Sequence, residues 1–284
     1  MKKAASAPLG EAGFTRTELL IVIAVVAILV AALVPLLSWA KLRSQRIRCQ
    51  GGSVKVLLQA EAAYVSEHER ALPRNPTNCP GGLWMGALRD YYESDAALLC
   101  PSAPVRPPTP TPEQINRQGT ADRAWAHWSD DRQTLFVGSM GRNVWMCEAY
   151  APSLKVPGLS PEQFRSLFLD KPDKMEHPDK APVFMDANWV DARPMETDSA
   201  CNNLYTGRLL ATSFKDMGRL TIARHGNAKP SRAPRDFPNG RPLPGAINIG
   251  MFDGHVELAP LDKLWTYEWH RDWKTPRVRP EVER

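Results

Sequence analysis

From Leu19 to Leu37 the chain reads LLIVIAVVAILVAALVPLL, with no charged position and no alternation of apolar and polar residues. A helix rising about 1.5 Å per residue over that run is roughly 28 Å long, close to the thickness of a bilayer core. The pattern predicts one N-terminal membrane anchor, followed by one large head polar enough for water. Past the anchor the pattern turns amphipathic. Ile47, Val54, Leu57, Leu58, Ala62 and Val65 recur near helical spacing, which continues the helix over 38–70. Gly51-Gly52 weakens it by roughly 1 kcal/mol per glycine, so a loosening or bend is expected there rather than an end.

The head reads as short elements between long loops. Residues 83–93 form an amphipathic helix with Trp84, Leu88 and Tyr91 or Tyr92 inward. Residues 134–150 suggest a strand, a glycine turn and a second strand. Ser160-Pro161-Glu162-Gln163 is a helix start, with a capping serine and a proline in the first turn. Residues 181–185 form a short buried strand ending at Asp186. Residues 218–224 read as a strand running into His225-Gly226, and 245–258 as two strands around the turn dipeptide Asp253-Gly254. A short C-terminal helix begins near Pro260. Residues 73–82, 101–120 and 227–244 are loops, and 186–203 is acidic and turn-rich.

The 284 residues allow one large domain or two small ones, and 43% hydrophobic residues suffice for a core. A net charge of +5 is no nucleic-acid signal, because acids and bases are interspersed. The run Lys41, Arg43, Arg46, Arg48 suits anionic headgroups at about 1 kcal/mol per charge; a solvated helix face explains it equally well. Five cysteines, Cys49, Cys79, Cys100, Cys147 and Cys201, lie beyond the anchor. Outside the cytoplasm they can oxidise, which predicts two disulfides and one cysteine left over, with the connectivity open. No CxxC or Cys-His pair has zinc spacing, so no structural metal is expected.

Three readings are open for the anchor. Lys2, Lys3 and Ser38-Trp39-Ala40 loosely fit a cleaved secretory signal, but its apolar run is usually only about 7–15 residues, and Arg16 and Glu18 sit awkwardly at its mouth. A plain signal anchor explains the length and not the residues before it. The third reading starts from Gly13-Phe14-Thr15-Arg16-Thr17-Glu18 followed by LLIVIAVVAIL, which closely resembles the type IV prepilin leader. The resemblance implies cleavage after Gly13 by a membrane-embedded aspartic peptidase and methylation of Phe14. It also implies a role in assembly for Glu18 and a helix-bending role for Pro35. Physics agrees on Glu18: an ionised carboxylate at the edge of a bilayer core is costly without a partner. Cleavage would free an amine on Phe14, a little over one turn away, on this or a neighbouring subunit. The basic residues after the anchor outnumber those before it, which by charge bias alone favours the opposite orientation. The leader motif is the more specific signal.

Other stretches resemble the large planctomycete–verrucomicrobial branch of these prepilin-like, or type II secretion pseudopilin-like, proteins. They are Arg46 and Cys49, Leu58-Gln59, Tyr64, Leu72-Pro73, Leu99-Cys100-Pro101-Ser102 and Gly138-Ser139-Met140-Gly141-Arg142-Asn143-Val144-Trp145. The C-terminal match is to the branch's signature domain of a His, nine residues and Asp-Gly, here Arg224-His225-Gly226, Ala246–Ile249 and Phe252-Asp253-Gly254-His255-Val256. The gap between His225 and Asp253 is longer than in the branch, as though 228–244 were inserted at a hairpin tip, which loop entropy tolerates.

The resemblance implies an α+β pilin-like fold, with a leader (1–13), a long helix (14–72, membrane part 19–37) packed on an antiparallel sheet, and an extracytoplasmic head (73–284) carrying the signature element at 218–273. It implies a structural subunit of a type IV pilus-like or type II secretion pseudopilus-like filament, held single-pass in the inner membrane with the head in the periplasm or on the cell surface. Its partners would be the prepilin peptidase, the assembly platform and other pilin-like subunits, with no nucleic acid, no cofactor and no enzymatic activity. Major pseudopilins bind calcium in an acidic loop, and 186–198 offers oxygen donors without EF-hand spacing. A site of His225, Asp253 and His255 with Asp186 and Asp191 at one strand end would allow a divalent ion or hydrolysis; otherwise Asp253 caps its turn and His225 hydrogen-bonds it. Neither a Gly-x-Ser-x-Gly nucleophile nor a glycine-rich phosphate cradle is present. Exposed tryptophans on one face would favour a polysaccharide- or protein-binding module instead, and buried ones a structural role.

Overall fold

The computed structural model describes residues 14–73, 83–107, 116–129, 132–148, 158–171, 175–207, 216–226 and 228–281. Gly13 with the rest of the leader, and Cys79, lie outside these residues. The chain falls into two compact units, Met1–Lys41 and Leu42–Arg284.

The first unit is helical once described. Helix α1 (Arg16–Cys49) opens on a capping box. The Glu18 N–H donates to Thr15 Oγ1 at 3.2 Å, and the Thr15 N–H donates to Glu18 Oε2 at 2.8 Å. Every residue from Phe14 to Leu37 is exposed, and the helix continues through Pro35. Among the described residues, one helix, Arg16–His68, is long and apolar enough to cross a membrane.

The second unit takes up the helix where its pattern becomes amphipathic. At Gly51-Gly52 the helix does not end; Gln50–Val54 widens into a π-helical turn, and helix α2 (Lys55–His68) follows. Such widening is frequent at functional sites, because it re-aims the side chains around it. Cys49, Val54, Leu57, Leu58, Ala60 and Tyr64 are buried in the head. This stretch therefore belongs with the head, and the head begins well before residue 73.

Among the described residues seven strands follow: β1 (Trp125–Trp128), β2 (Leu135–Gly138), β3 (Met140–Asn143), β4 (Pro182–Asp186), β5 (Asp191–Ala192), β6 (Ala246–Met251) and β7 (Val256–Pro260). β1 and β2 form an antiparallel pair. The other five form one sheet in the order β5-β3-β4-β6-β7, antiparallel except for β3 with β5. One apolar cluster joins Cys49, Val54, Leu57 and Leu58 to Trp84, Trp125 and Phe184. A second gathers Ile247, Ile249 and Met251 with Trp145, Phe168, Trp265 and Trp269. The alternation along β6 sends these isoleucines to one face and leaves Gly250 on the helix side. A Cβ at Gly250 would sit 2.6 Å from both Leu58 and Val54 side chains, so only glycine lets the helix approach this closely.

The helix expected over 83–93 is only partly present, as the short helix α3 (Trp84–Ala87) and a 3-10 turn at Arg89–Tyr91. Several expected elements stand. Ser160 and Gln163 form a reciprocal capping box ahead of helix α4 (Pro161–Ser166). The hairpin of β6 and β7 turns at Asp253-Gly254, with Gly254 at φ 89°. His225 and Ala246 exchange backbone bonds of 2.8 and 2.9 Å, which closes the 228–244 loop. The two strands expected within 134–150 are β2 and β3, which separate at Ser139 and enter different sheets. One expectation fails. The 218–224 stretch is not a strand. Its N–H groups are spent locally, Ile222 to the Leu220 carbonyl and Arg224 to that of Ile222, while Ala223 bonds Leu204. The C-terminal helix is a 3-10 segment, Leu261–Thr266.

Candidate functional site

Four segments far apart in sequence meet between the helix and the sheet. Cys49 comes from the last turn of α1, beside the π-helical widening. Cys100 comes from the Cys-Pro-Ser turn, where its N–H donates to Ser139 Oγ at 2.5 Å. Asp186 is the last residue of β4, and His225 sits on the bridge to Ala246. All four are buried, and one donor atom from each lies within 4.8 Å of all the others.

The contacts are polar throughout. His225 Nε2 is 3.0 Å from Asp186 Oδ2 and 3.4 Å from Cys100 Sγ. The Cys49 thiol lies 3.6 Å from Asp186 Oδ1. The Asn248 N–H of β6 donates to Asp186 Oδ2 at 2.8 Å, and the Asn248 side-chain amide reaches His225 Nε2 at 3.0 Å. Arg224 pins the other carboxylate oxygen at 3.1 Å. Its remaining N–H groups go to the carbonyls of Thr120, Ala121, Ser139 and Ala187. All five guanidinium donors are thus used, which is what burying an arginine requires.

Charge follows from this packing. Burial alone would raise Asp186, but His225 and Arg224 hold its carboxyl well below the usual range. Burial would lower His225, and the Asp186 and Cys100 charges push it above its ordinary value instead. Burial would raise Cys100, yet the Cys49 and His225 contacts bring it down. Cys49 goes far up, chiefly through burial and then through Cys100 and Asp186. Two thiols, an imidazole and a carboxylate are groups that can hold a metal ion or exchange protons.

The structure sorts the expected site residues. It joins His225 to Asp186 and separates both from Asp253 and His255. His225 bridges Ala246, whereas Asp253 follows Met251 at the other end of β6, roughly 17 Å along the strand. The expected hydrogen bond between His225 and Asp253 is therefore replaced by one to Asp186. Asp253 instead accepts from the His255 N–H at 3.0 Å and contacts its Nδ1 at 2.7 Å, while Lys55 Nζ donates to the Gly254 carbonyl at 2.6 Å. Asp191 pairs with Arg219 at 2.7 Å, Glu196 with His270 at 2.8 Å, and Asp198 with the N–H groups of Met195 and Met217. The acidic loop 186–198 thus sends its carboxylates to separate partners. Among the described residues no disulfide joins two cysteines, and Cys49 and Cys100 are free thiols, so at least one of the two disulfides expected is absent. Cys147 contacts the buried Arg142, which also grips Glu61 of α2. A separate polar cleft of about 260 Å³ is lined by His177, Glu268, His270 and Asp272 among others.

Sequence reasoning missed the convergence of Cys49 and Cys100 on Asp186 and His225. Zinc-type spacing searches look for ligands close in sequence, and these come from four segments. The available signal was that Cys49, Cys100 and His225 each sit in a short motif of the same resemblance. Neither family models, nor curated proteins, nor solved structures give a match to this chain.

Proposed function

We propose that the chain is a membrane-anchored structural subunit of the pilin or pseudopilin kind, cut after Gly13 and assembled with like subunits through its N-terminal helix. The observation that carries this reading is the fully exposed apolar surface from Leu19 to Leu37, directly preceded by the leader-like residues Gly13–Glu18. Burying a Leu or Ile side chain is worth about 1.5–3 kcal/mol, so this surface belongs in lipid or against other helices. The partners proposed are the prepilin peptidase, an assembly platform and other copies, in the inner membrane with the head on the far side. A tryptophan-faced binding module is less well supported. Only Trp39, on α1, is exposed; Trp84, Trp125, Trp145, Trp265 and Trp269 are buried, and the other three are half-buried. A hydrolase built on His225 and Asp253 is disfavoured because the two stand apart.

The capping box gives Glu18 a second role, and the test must separate the two. Glu18→Gln keeps an acceptor for the Thr15 N–H and removes the charge; Glu18→Ala removes both. Intact mass of protein from native membranes should give a chain beginning at N-methylated Phe14. Both variants should then drop out of filaments. Incorporation of Glu18→Gln at the wild-type level would reduce Glu18 to a helix cap, and a chain beginning at Met1 would remove the prepilin reading.

A further inference from the structure

We infer that Cys49, Cys100, Asp186 and His225 form a closed four-ligand site for a thiophilic divalent cation, with zinc the ion best matched to the donor set. Two sulfurs, one imidazole nitrogen and one carboxylate oxygen are ligands that borderline-soft Zn(II) accepts together. With bonds of about 2.0–2.3 Å, a tetrahedral zinc site has donor–donor edges of roughly 3.3–3.8 Å. Here His225 Nε2 lies 3.0 Å from Asp186 Oδ2 and 3.4 Å from Cys100 Sγ, Cys49 Sγ lies 3.6 Å from the other Asp186 oxygen, and with one donor atom per residue no separation exceeds 4.8 Å. Small side-chain adjustments would complete the tetrahedron.

Hydrogen bonding alone explains the cluster poorly. His225 Nε2 has three neighbours within bonding distance, Asp186, Cys100 and Asn248, yet one ring nitrogen offers a single lone pair or a single proton. Asn248, itself fully buried, has an amide oxygen with no partner. A central cation turns the crowding into coordination. It also balances charge, since a divalent ion, two thiolates, one carboxylate and the Arg224 guanidinium sum to zero. The outer groups are in place: Arg224 and the Asn248 N–H orient Asp186, and Ser139 anchors the Cys100 backbone. Binding displaces the thiol protons to solvent and leaves the imidazole neutral. With four protein ligands and no open position, the ion would be structural. It would staple the end of α1, the Cys-Pro turn, β4 and the bridge to β6. The inference stands apart from the filament reading and survives its failure.

The test uses the full chain in detergent, with Zn(II) or Co(II) supplied. Elemental analysis should find about one zinc per chain. The cobalt form should show sulfur-to-cobalt charge transfer and the intense visible bands of a tetrahedral centre, a readout that needs no variant. Cys100→Ser and His225→Gln should bind at least about tenfold more weakly, while Cys201→Ser, which lies outside the cluster, should bind as wild type. Two results would overturn the inference. One is substoichiometric metal without charge-transfer bands. The other is a Cys49–Cys100 disulfide in peptide maps of protein taken from native membranes.

Discussion

Among the described residues the head holds two His–Asp pairs of similar length and opposite setting. His225 and Asp186 stand 3.0 Å apart, with side chains 2% and 0% exposed; His255 and Asp253 stand 2.7 Å apart, at 42% and 36%. Distance alone would rank the second pair as the stronger. Burial reverses the order. The exposed pair is screened by water and salt and contributes little. In the buried pair each charge has lost its hydration, so each depends on the groups around it. A resemblance that places His225 and Asp253 in one signature element therefore joins residues with different work: one holds the core, the other shapes a turn.

The largest effect expected follows from that dependence. Asp186→Ala leaves Arg224 and His225 buried without their counter-charge. Removing one partner of a buried pair costs about 3–5 kcal/mol, and in a head of this size that is roughly 6–20 °C of thermal midpoint. Calorimetry or a circular dichroism melt of the full chain in detergent checks it. A midpoint within a degree or two of wild type would mean that the cluster is solvated and that the comparison fails.

A third carboxylate sharpens the contrast, because it is buried and, among the described residues, no cation pairs with it. Asp198 is 2% exposed and is held by the N–H groups of Met195 and Met217. Burial raises it to about 8 against the lowering effect of those bonds, and the neighbouring Asp216 adds to the rise. Burial also raises Asp216, though Arg219 and Arg193 oppose it. The folded Asp198 carboxyl thus keeps its proton where the unfolded one, near 3.8, has lost it. Its contribution is fully present below the unfolded value and is lost as pH rises through about 8. Asp198→Asn should flatten this fall between pH 5 and 9 in melts of the full chain. An unchanged slope would assign the alkaline loss to another group. Asp186, as deeply buried, moves the other way because two cations face it.

Much of the frame was legible because it depends on local pattern. The apolar run of α1, the Ser160 cap and the turn at Asp253-Gly254 are each dictated by residues within a few positions. The capping box at Thr15 and Glu18 is equally local, a Thr and a Glu three residues apart at the head of the apolar run. The strand expected at 218–224 failed because its alternation serves loop contacts: Ile222 and Leu220 reach the core from turns, and Arg224 spends its donors on carbonyls from four other residues. The cluster at Cys49 was out of reach for a related reason. Its members meet only through the order of the sheet, which puts β4 beside β6, and through Gly250, which lets the helix close over them.

The smallest effect belongs to the turn. Asp253→Ala removes the contact with His255 Nδ1 and the acceptor for the His255 N–H. Two features of the hairpin do not depend on that side chain. Gly254 keeps its left-handed backbone, and Lys55 still donates to the Gly254 carbonyl, a backbone acceptor. The loss should stay at or below about 1 kcal/mol, a few degrees at most by melting, and should shrink further with added salt. If Asp253→Ala instead lowered the midpoint as far as Asp186→Ala, exposure would no longer separate the pairs. The hairpin tip would then have to be pressed against a surface in the assembled protein, and the same variant measured in dissociated subunits would return to the small value.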